Sequence, residues 1–409
     1  MGTSFRWLLA STWVTNIGDG IALAVGPLLV ASLTDQPALI ALAATVQWLP
    51  PLLFGLLAGV ASDRLDRRGV MIVVNAVRVV VVALLGAAVL TGHATIAGVL
   101  LALFVLGTAE VFVDNTASTL LPMLVHRDDL AVANSRLYTG IITFNQLAGP
   151  PIGAAIFVAG TAYPFLVQAV AVALGVVLVS RLRLPPHGRD PETVGRVVHD
   201  IAEGFRFVRH HAAVRTLVLT ILIFNLTFGA AWSVLVLYAT ERLDMGAVGF
   251  GLLTTTSAVG GLLATLGYGA LTRRVGLGDL MRVGLVVETL VHLVLALTTS
   301  PAVALVTFFV FGAHAFIWGT TSVTVRQRAV PSHLQGRVGG VNLVACFGGL
   351  VIGSGLGGVL AQHWGVTAPF WFAFAGSAVF VVAIWGQLHH IAHADATPVA
   401  DEPGPRAVV

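Results

Sequence analysis

Apolar runs of ~17–25 residues follow one another along nearly the whole chain, each long enough to cross a bilayer as a helix. Read as spans, they lie at 7–33, 39–62, 70–90, 96–118, 133–158 and 162–182, and after a polar break at 214–238, 248–271, 280–298, 302–325, 338–361 and 369–388. The first run is too long for a cleavable leader and carries Asp19 midway. The break opens on Pro185-Pro186. Beyond it Val194, Val197, Val198, Ile201, Phe205 and Val208 share one helical face. The pattern predicts an all-α membrane protein of twelve transmembrane helices in two six-helix halves, residues 1–184 and 214–388. A linker at 185–213 carries an amphipathic helix, expected on the membrane surface or under the bundle, and the tail at 389–409 reads as disordered.

Composition agrees with burial in lipid. Hydrophobic residues make up 57% and charged residues 10% of the chain, against ~25% charged in soluble domains. Mean hydropathy is +0.92. All 22 basic residues are arginine. Without lysine the chain can carry neither a Walker A phosphate loop nor a Schiff base. Its single Cys346 excludes an internal disulfide or a cysteine metal cluster.

The arginines sit almost entirely in alternate loops and at both termini; the opposite loops carry only Arg242. By the positive-inside rule the arginine-rich side is cytoplasmic, so both termini are expected there, in a multi-pass protein of a bacterial cell membrane. Topology thus accounts for the basic balance, and no nucleic-acid partner is implied.

The halves repeat at an offset of about 205 residues, most plainly where Gly55-Leu56-Leu57-Ala58 recurs as Gly261-Leu262-Leu263-Ala264 and Arg67-Arg68 as Arg273-Arg274. Gly149-Pro150-Pro151-Ile152-Gly153-Ala154 aligns with Gly353-Ser354-Gly355-Leu356-Gly357-Gly358. A parallel repeat of this kind builds a midplane site between two halves in transporters. Gly353-x-Gly355-x-x-Gly358 also matches a dinucleotide fingerprint, but no strand precedes it and helix packing accounts for it. His389, His390 and His393 lack further clear ligands apart from Asp395, so neither cofactor nor metal is expected.

The loop Gly59-Val60-Ala61-Ser62-Asp63-Arg64-Leu65-Asp66-Arg67-Arg68 resembles the G-x-x-x-D-R-x-G-R-R motif of the major facilitator superfamily, with Asp66 for the usual Gly. Gly149-Pro150, with Gly153-Ala154, resembles the fifth-helix motif of that family's antiporters. The arginine-bearing fourth-helix motif is missing from 102–110. Leu121-Pro122, Leu130, Ala133-Asn134 and the run Ile201–Phe207 resemble the branch of macrolide-efflux and siderophore-export proteins. The likeness covers nearly the whole chain. It implies a drug:proton antiporter with spans one, four, seven and ten around the cavity.

Asp19, Glu110, Asp114 and Glu288 lie within predicted spans, where a charge costs ~2.5–3.5 kcal/mol on insertion scales. Low-dielectric surroundings favour a neutral carboxyl, so such a group can take a proton from one side and release it to the other. In the family fold Asp19 and Glu110 would face the cavity and are the proton-coupling candidates; a structural acceptor role is the alternative for Asp19. Asp114 is expected to pair with Arg78, Arg67 or Arg68 and, with Gly59, Asp63 and Arg64, to hold a cytoplasmic gate. Glu288 and His292, at i,i+4 on a peripheral span, read as a mutual pair. Asn16, Asn145, Gln146, Asn225, Trp232, His314 and Trp318 are candidates for the substrate cavity, or for packing.

The expected function is proton-coupled export of small hydrophobic or amphiphilic molecules by a monomer. A metabolite importer or facilitator of the same fold is the alternative. A membrane enzyme or scaffold finds no supporting motif.

Overall fold

The computed structural model describes residues 2–126, 129–182, 197–331 and 334–387; the side chains of 60–64, 122, 131 and 197–201 fall outside the described set. The expected disordered tail, the linker to 196 and the side chains of Asp63 and Arg64 therefore lie outside the described residues. Each predicted span is met by helix: α1 (Thr3–Leu33), α2 (Pro37–Arg64), α3 (Arg67–Leu90), α4 (Ile96–Leu124), then α5 (Leu130–Gly140) and α6 (Gly149–Ala159) in one rod, and α7 (Tyr163–Ser180). After α8 (Val197–His210) come α9 (Ala212–Trp232), the single turn α10 (Leu235–Leu237), α11 (Gly246–Thr272), α12 (Leu277–Leu297), α13 (Pro301–Ala329), α14 (Gln335–Trp364) and α15 (Ala368–Ile384). Among the described residues 11 helical segments are long and apolar enough to cross a membrane, and α15, with 17 residues, is a shorter twelfth. Large apolar side chains such as Leu84, Leu266, Val379 and Val382 point outward, as lipid contact requires.

Local chemistry fixes several ends. Asp66, the departure from the loop motif, caps α3: its carboxylate accepts from the Gly69 amide at 2.9 Å. Thr95 does the same for α4 through Gly98. Between α5 and α6 the rod widens into a π-helix, Ile141–Ala148. Pro150 and Pro151 have no amide hydrogen, so the carbonyls of Gln146 and Leu147 lose their helical donors. The Thr255 hydroxyl of α11 approaches Leu147 O at 3.2 Å and restores one of them. Arg242, the outlier among the arginines, has an equally local explanation. Its guanidinium donates to Thr298 O and Leu297 O, both at 3.2 Å, at the carboxyl end of α12. There a cation satisfies orphan carbonyls and complements the helix dipole.

The halves repeat in their helix pairings. α1–α6, α1–α7, α2–α4, α3–α4 and α3–α7 contact one another as α9–α14, α9–α15, α11–α13, α12–α13 and α12–α15 do. The halves join where α2 packs on α14 and α11 on α6. Two crossings bring backbones together. A Cβ at Gly149 would lie 2.5 Å from the Gly20 backbone, and one at Gly153 would lie 2.7 Å from Ile21 O. In the other half, Gly349 faces Leu222 O, Gly353 faces Leu226 O and Gly357 faces Ala230 O, all too close for a side chain. The glycine-rich runs that align at the sequence level thus occupy equivalent crossings.

The apolar core is not uniform along the bundle. At the arginine-poor end one cluster unites both halves, from Leu28 and Ile40 through Leu235, Phe250 and Phe370. At the arginine-rich end the clusters separate: Leu8, Met71 and Leu120 in one half, Val214, Met281 and Val338 in the other. Among the described residues, an apolar cluster spans both halves at the arginine-poor end only. α8 packs under the second half, with Val208 buried, Glu203 paired to Arg337, and Gly204 against the Arg337 backbone. Phe205, expected on its apolar face, is instead 60% exposed. The contact face is set by Gly204, Phe207 and Val208, because α14 needs a position without a side chain for close approach.

Gly353→Leu should prevent assembly of the α9–α14 crossing, at a cost of at least the roughly 1–3 kcal/mol of ordinary overpacking. Gly355→Ala, two positions away with nothing within 4 Å of its added Cβ, should behave as wild type. Size-exclusion profiles and thermal unfolding in detergent compare the two.

Candidate functional site

A cavity of about 390 Å³ lies between the halves. Leu23, Ala24 and Pro27 of α1 face Phe228 and Trp232 of α9 across it, with Thr254, Ser257 and Gly261 of α11 along one wall. Gln47, Trp48 and Gln146 add neutral polar groups, and no charged side chain lines it. The Trp48 indole N–H has no partner among the described residues. On the second half the wall is aromatic: Phe228 stacks on Phe311 with ring centroids 5.3 Å apart and packs on Trp232 at 4.9 Å. Such a cavity suits an apolar body with a few hydrogen-bonding groups.

Behind the α1 wall is a second, smaller pocket of about 50 Å³. It holds Asp19, Arg78, Glu110 and Gln168, and shares Leu23, Pro27 and Gln47 with the main cavity. Asp19 forms an ion pair with Arg78, and the Asn75 amide oxygen accepts from the same guanidinium at 3.1 Å. Arg78 is 2% exposed. It stands 11 residues beyond Arg67, the first of α3, or ~16 Å along the helix, and therefore at mid-depth. Glu110 makes no direct ion pair or hydrogen bond among the described residues, since the nearby cation is committed to Asp19.

This geometry corrects several expectations. Asp114 makes no ion pair with Arg78; Asp19 holds the guanidinium instead. Arg78 belongs to the midplane pocket and not to a gate at the end of the bundle, because α3 starts at Arg67. Arg67 donates to Met123 Sδ at 2.8 Å, and Arg68 donates to Ser180 O, so these two tie α3 to the ends of α4 and α7. Gly59 precedes the residues whose side chains are not described. The expected Glu288–His292 pair is replaced by Glu288 with His314, whose Nε2 lies 3.1 Å from Oε2. The α12–α13 contact supplies a closer partner than the next turn of the same helix does.

Of the cavity candidates, Gln146 and Trp232 line the main cavity. Asn16 and Asn225 turn back on their own helices, donating to Thr12 O at 2.8 Å and Ile221 O at 2.7 Å. Asn145 contributes its backbone to the Gly20 crossing. His314 is held by Glu288, and Trp318 packs in the core of the second half. Gly149 and Gly153 make the α1 crossing, while Pro150 lines the cavity. Sequence reasoning missed Gln47, Trp48, Phe228 and Ser257. The pair Gln47-Trp48 before Pro50-Pro51, polar and aromatic in an apolar run, was the available signal.

The chain matches the family model of transmembrane secretion effectors over residues 2–407. It belongs to that family, within the major facilitator superfamily. It is 29% identical over 376 residues to the multidrug efflux pump Tap of Mycolicibacterium fortuitum, covering 89% of this chain and 90% of the relative. Tap of Mycobacterium tuberculosis is 29% identical over 406 residues, covering 96% and 95%. In fold it resembles a variant of the nucleoside transporter NupG, with TM-score 0.78, 12% identity, and 94% and 100% of the two chains covered. A bacterial homologue of the iron transporter ferroportin, in an inward-facing state, gives TM-score 0.76 at 16% identity, with 95% and 100% covered. These place the chain among multi-pass transporters acting on small molecules.

Asp19→Asn alone leaves the Arg78 guanidinium buried and unpaired, and should cost about 3–5 kcal/mol of stability. Combining it with Arg78→Gln removes both charges and should recover most of that loss. Thermal unfolding of the two single variants, the double variant and wild type closes the cycle; purely additive losses would show that the pair is uncoupled.

Proposed function

We propose that this transporter exports hydrophobic or amphiphilic small molecules, drugs or natural products, in exchange for protons. The observation that carries the reading is the adjacency of two unlike pockets. An uncharged, aromatic-walled cavity shares Leu23, Pro27 and Gln47 with a pocket that holds buried charge. The likeness to multidrug efflux pumps supports the cargo class.

Within the polar pocket the two acids take different parts. An arginine does not give up its proton, so Asp19 is pinned as the counter-charge of Arg78. Glu110 has no such partner and is free to exchange. Glu110 is therefore the proton carrier, and the Asp19–Arg78 pair fixes the electrostatics around it. Moving one charge through ~100 mV is worth ~2.3 kcal/mol, enough for a roughly 50-fold substrate gradient per proton at ~1.4 kcal/mol per decade.

By the arginine distribution the separated end of the bundle faces the cytoplasm, with both termini on that side. The shared core then seals the periplasmic end, and the molecule stands open to cytoplasmic cargo. Alternating access follows if the α2–α14 and α6–α11 contacts act as the fulcrum while the end clusters exchange. The chain acts as a monomer carrying out no covalent chemistry.

Cells expressing the chain should accumulate less of a lipophilic fluorescent dye than control cells. A protonophore should abolish the difference; an unchanged difference would disprove proton coupling. Glu110→Gln should lose export while dye binding persists. Ala258→Trp, which projects an indole into the cavity, should lose both with the protein still folded, as judged by its thermal unfolding.

A further inference from the structure

We infer that Glu288 and His314 form a second proton-binding site, built into the C-terminal half. Glu288 and His314 are 8% and 7% exposed, and their side chains meet at 3.1 Å between α12 and α13. His292, one turn beyond Glu288, is 2% exposed, and neither of its ring nitrogens has a hydrogen-bonding partner among the described residues. It lines an apolar void of about 20 Å³ that shares Phe228 and Trp232 with the walls of the main cavity.

The pair differs in kind from the one in the first half. Asp19 is held by an arginine, which keeps its proton at every accessible pH. Glu288 is held by a histidine, and both members of that pair can exchange. α12 and α13 repeat α3 and α4 in their packing, so this pair lies between the same two repeat helices that carry Arg78 and Glu110. Other charged groups are remote or already committed. Arg242 and the Tyr238 hydroxyl bind carbonyls at the far end of α12, and Arg282 pairs with Asp279 near its start. α15 brings no titratable side chain, α9 brings only Arg215 near its first turn, and in α11 the Tyr268 hydroxyl bonds Thr321.

The site is also wired to the cavity. Phe311 lies 6.5 Å from the His314 ring, centroid to centroid, and stacks on Phe228, which faces the cargo space. Gly312 and Ala315, flanking His314 on α13, line that space directly. A molecule pressing on the Phe228–Trp232 wall therefore reaches the histidine through one ring. The proton is taken from water on one side of the membrane, held between Glu288 Oε2 and His314 Nε2, and released to water on the other. No other bond changes.

Binding of this proton can be read without any cargo and without assuming export. The full chain in phosphatidylethanolamine–phosphatidylglycerol vesicles is titrated from alkaline to acid while infrared difference spectra record protonation of buried carboxyls and imidazoles. The combined variant Asp19→Asn, Glu110→Gln and Asp114→Asn should retain one titrating buried carboxyl, and adding Glu288→Gln should remove it. Should the combined variant fail to fold, Glu288→Gln alone in the wild-type background should remove one carboxyl signal, and His314→Gln should shift that signal and remove an imidazole one. Spectra unchanged by Glu288→Gln would overturn the proposal and leave the Glu110 reading intact. A carboxyl signal that Glu288→Gln removes but Glu110→Gln leaves unchanged would support the proposal and overturn the Glu110 reading.

Discussion

Hydrocarbon offers no partner to a backbone amide or carbonyl, so each span must close its own hydrogen bonds. Contacts between spans must then come from side chains, or from positions lacking them, where two backbones can approach. The second solution dominates here. α1 meets α6 through Gly20, Gly149 and Gly153, and α9 meets α14 through Gly349, Gly353 and Gly357. The one extended departure from regular hydrogen bonding in the first half, the π-helical run before Pro150, is where α11 of the other half supplies Thr255. Because self-satisfied helices exchange few bonds between halves, sliding one half against the other breaks little. That is the property alternating access requires.

Charge is confined by the same constraint. Arg78 can lie at mid-depth because Asp19 and Asn75 meet it there. Arg242 can stand apart from the other arginines because the carbonyls at the end of α12 receive it. Buried pairs of this kind contribute more to selecting one arrangement than to net stability. The uncharged main cavity and the charged pocket behind α1 are thus separate spaces with a common wall. The first offers dispersion and neutral hydrogen bonds, and the buried charge stands one helix away.

Most of the architecture was legible from sequence because lipid enforces the length and apolar character of each span. The spans, the linker helix and the repeat came from patterns that any bilayer protein of this design must show. Pairing partners were not legible. A helix presents several faces, and sequence spacing favours neighbours on the same helix; so Glu288 was matched to His292 when the adjoining helix offered His314 at 3.1 Å. Asn16 and Asn225 illustrate the same difficulty, since an amide in a span can turn back on its own helix as readily as face a cavity. Asp66 shows the converse. It departs from the loop motif, yet as the cap of α3 it has a local purpose that its spacing to Gly69 encodes.

The halves repeat in packing but not in charge, and the difference bears on how each can move. The first half carries a fixed cation, Arg78, balanced by Asp19 in a pocket that also holds Glu110. Among its described buried groups the second half carries no arginine, only a carboxyl paired with one imidazole and a second imidazole nearby. A neutral group crosses low dielectric more cheaply than a charged one. The half with the buried arginine is therefore the electrically costly one to re-expose to either side, and the Asp19 carboxylate that balances the cation lowers that cost.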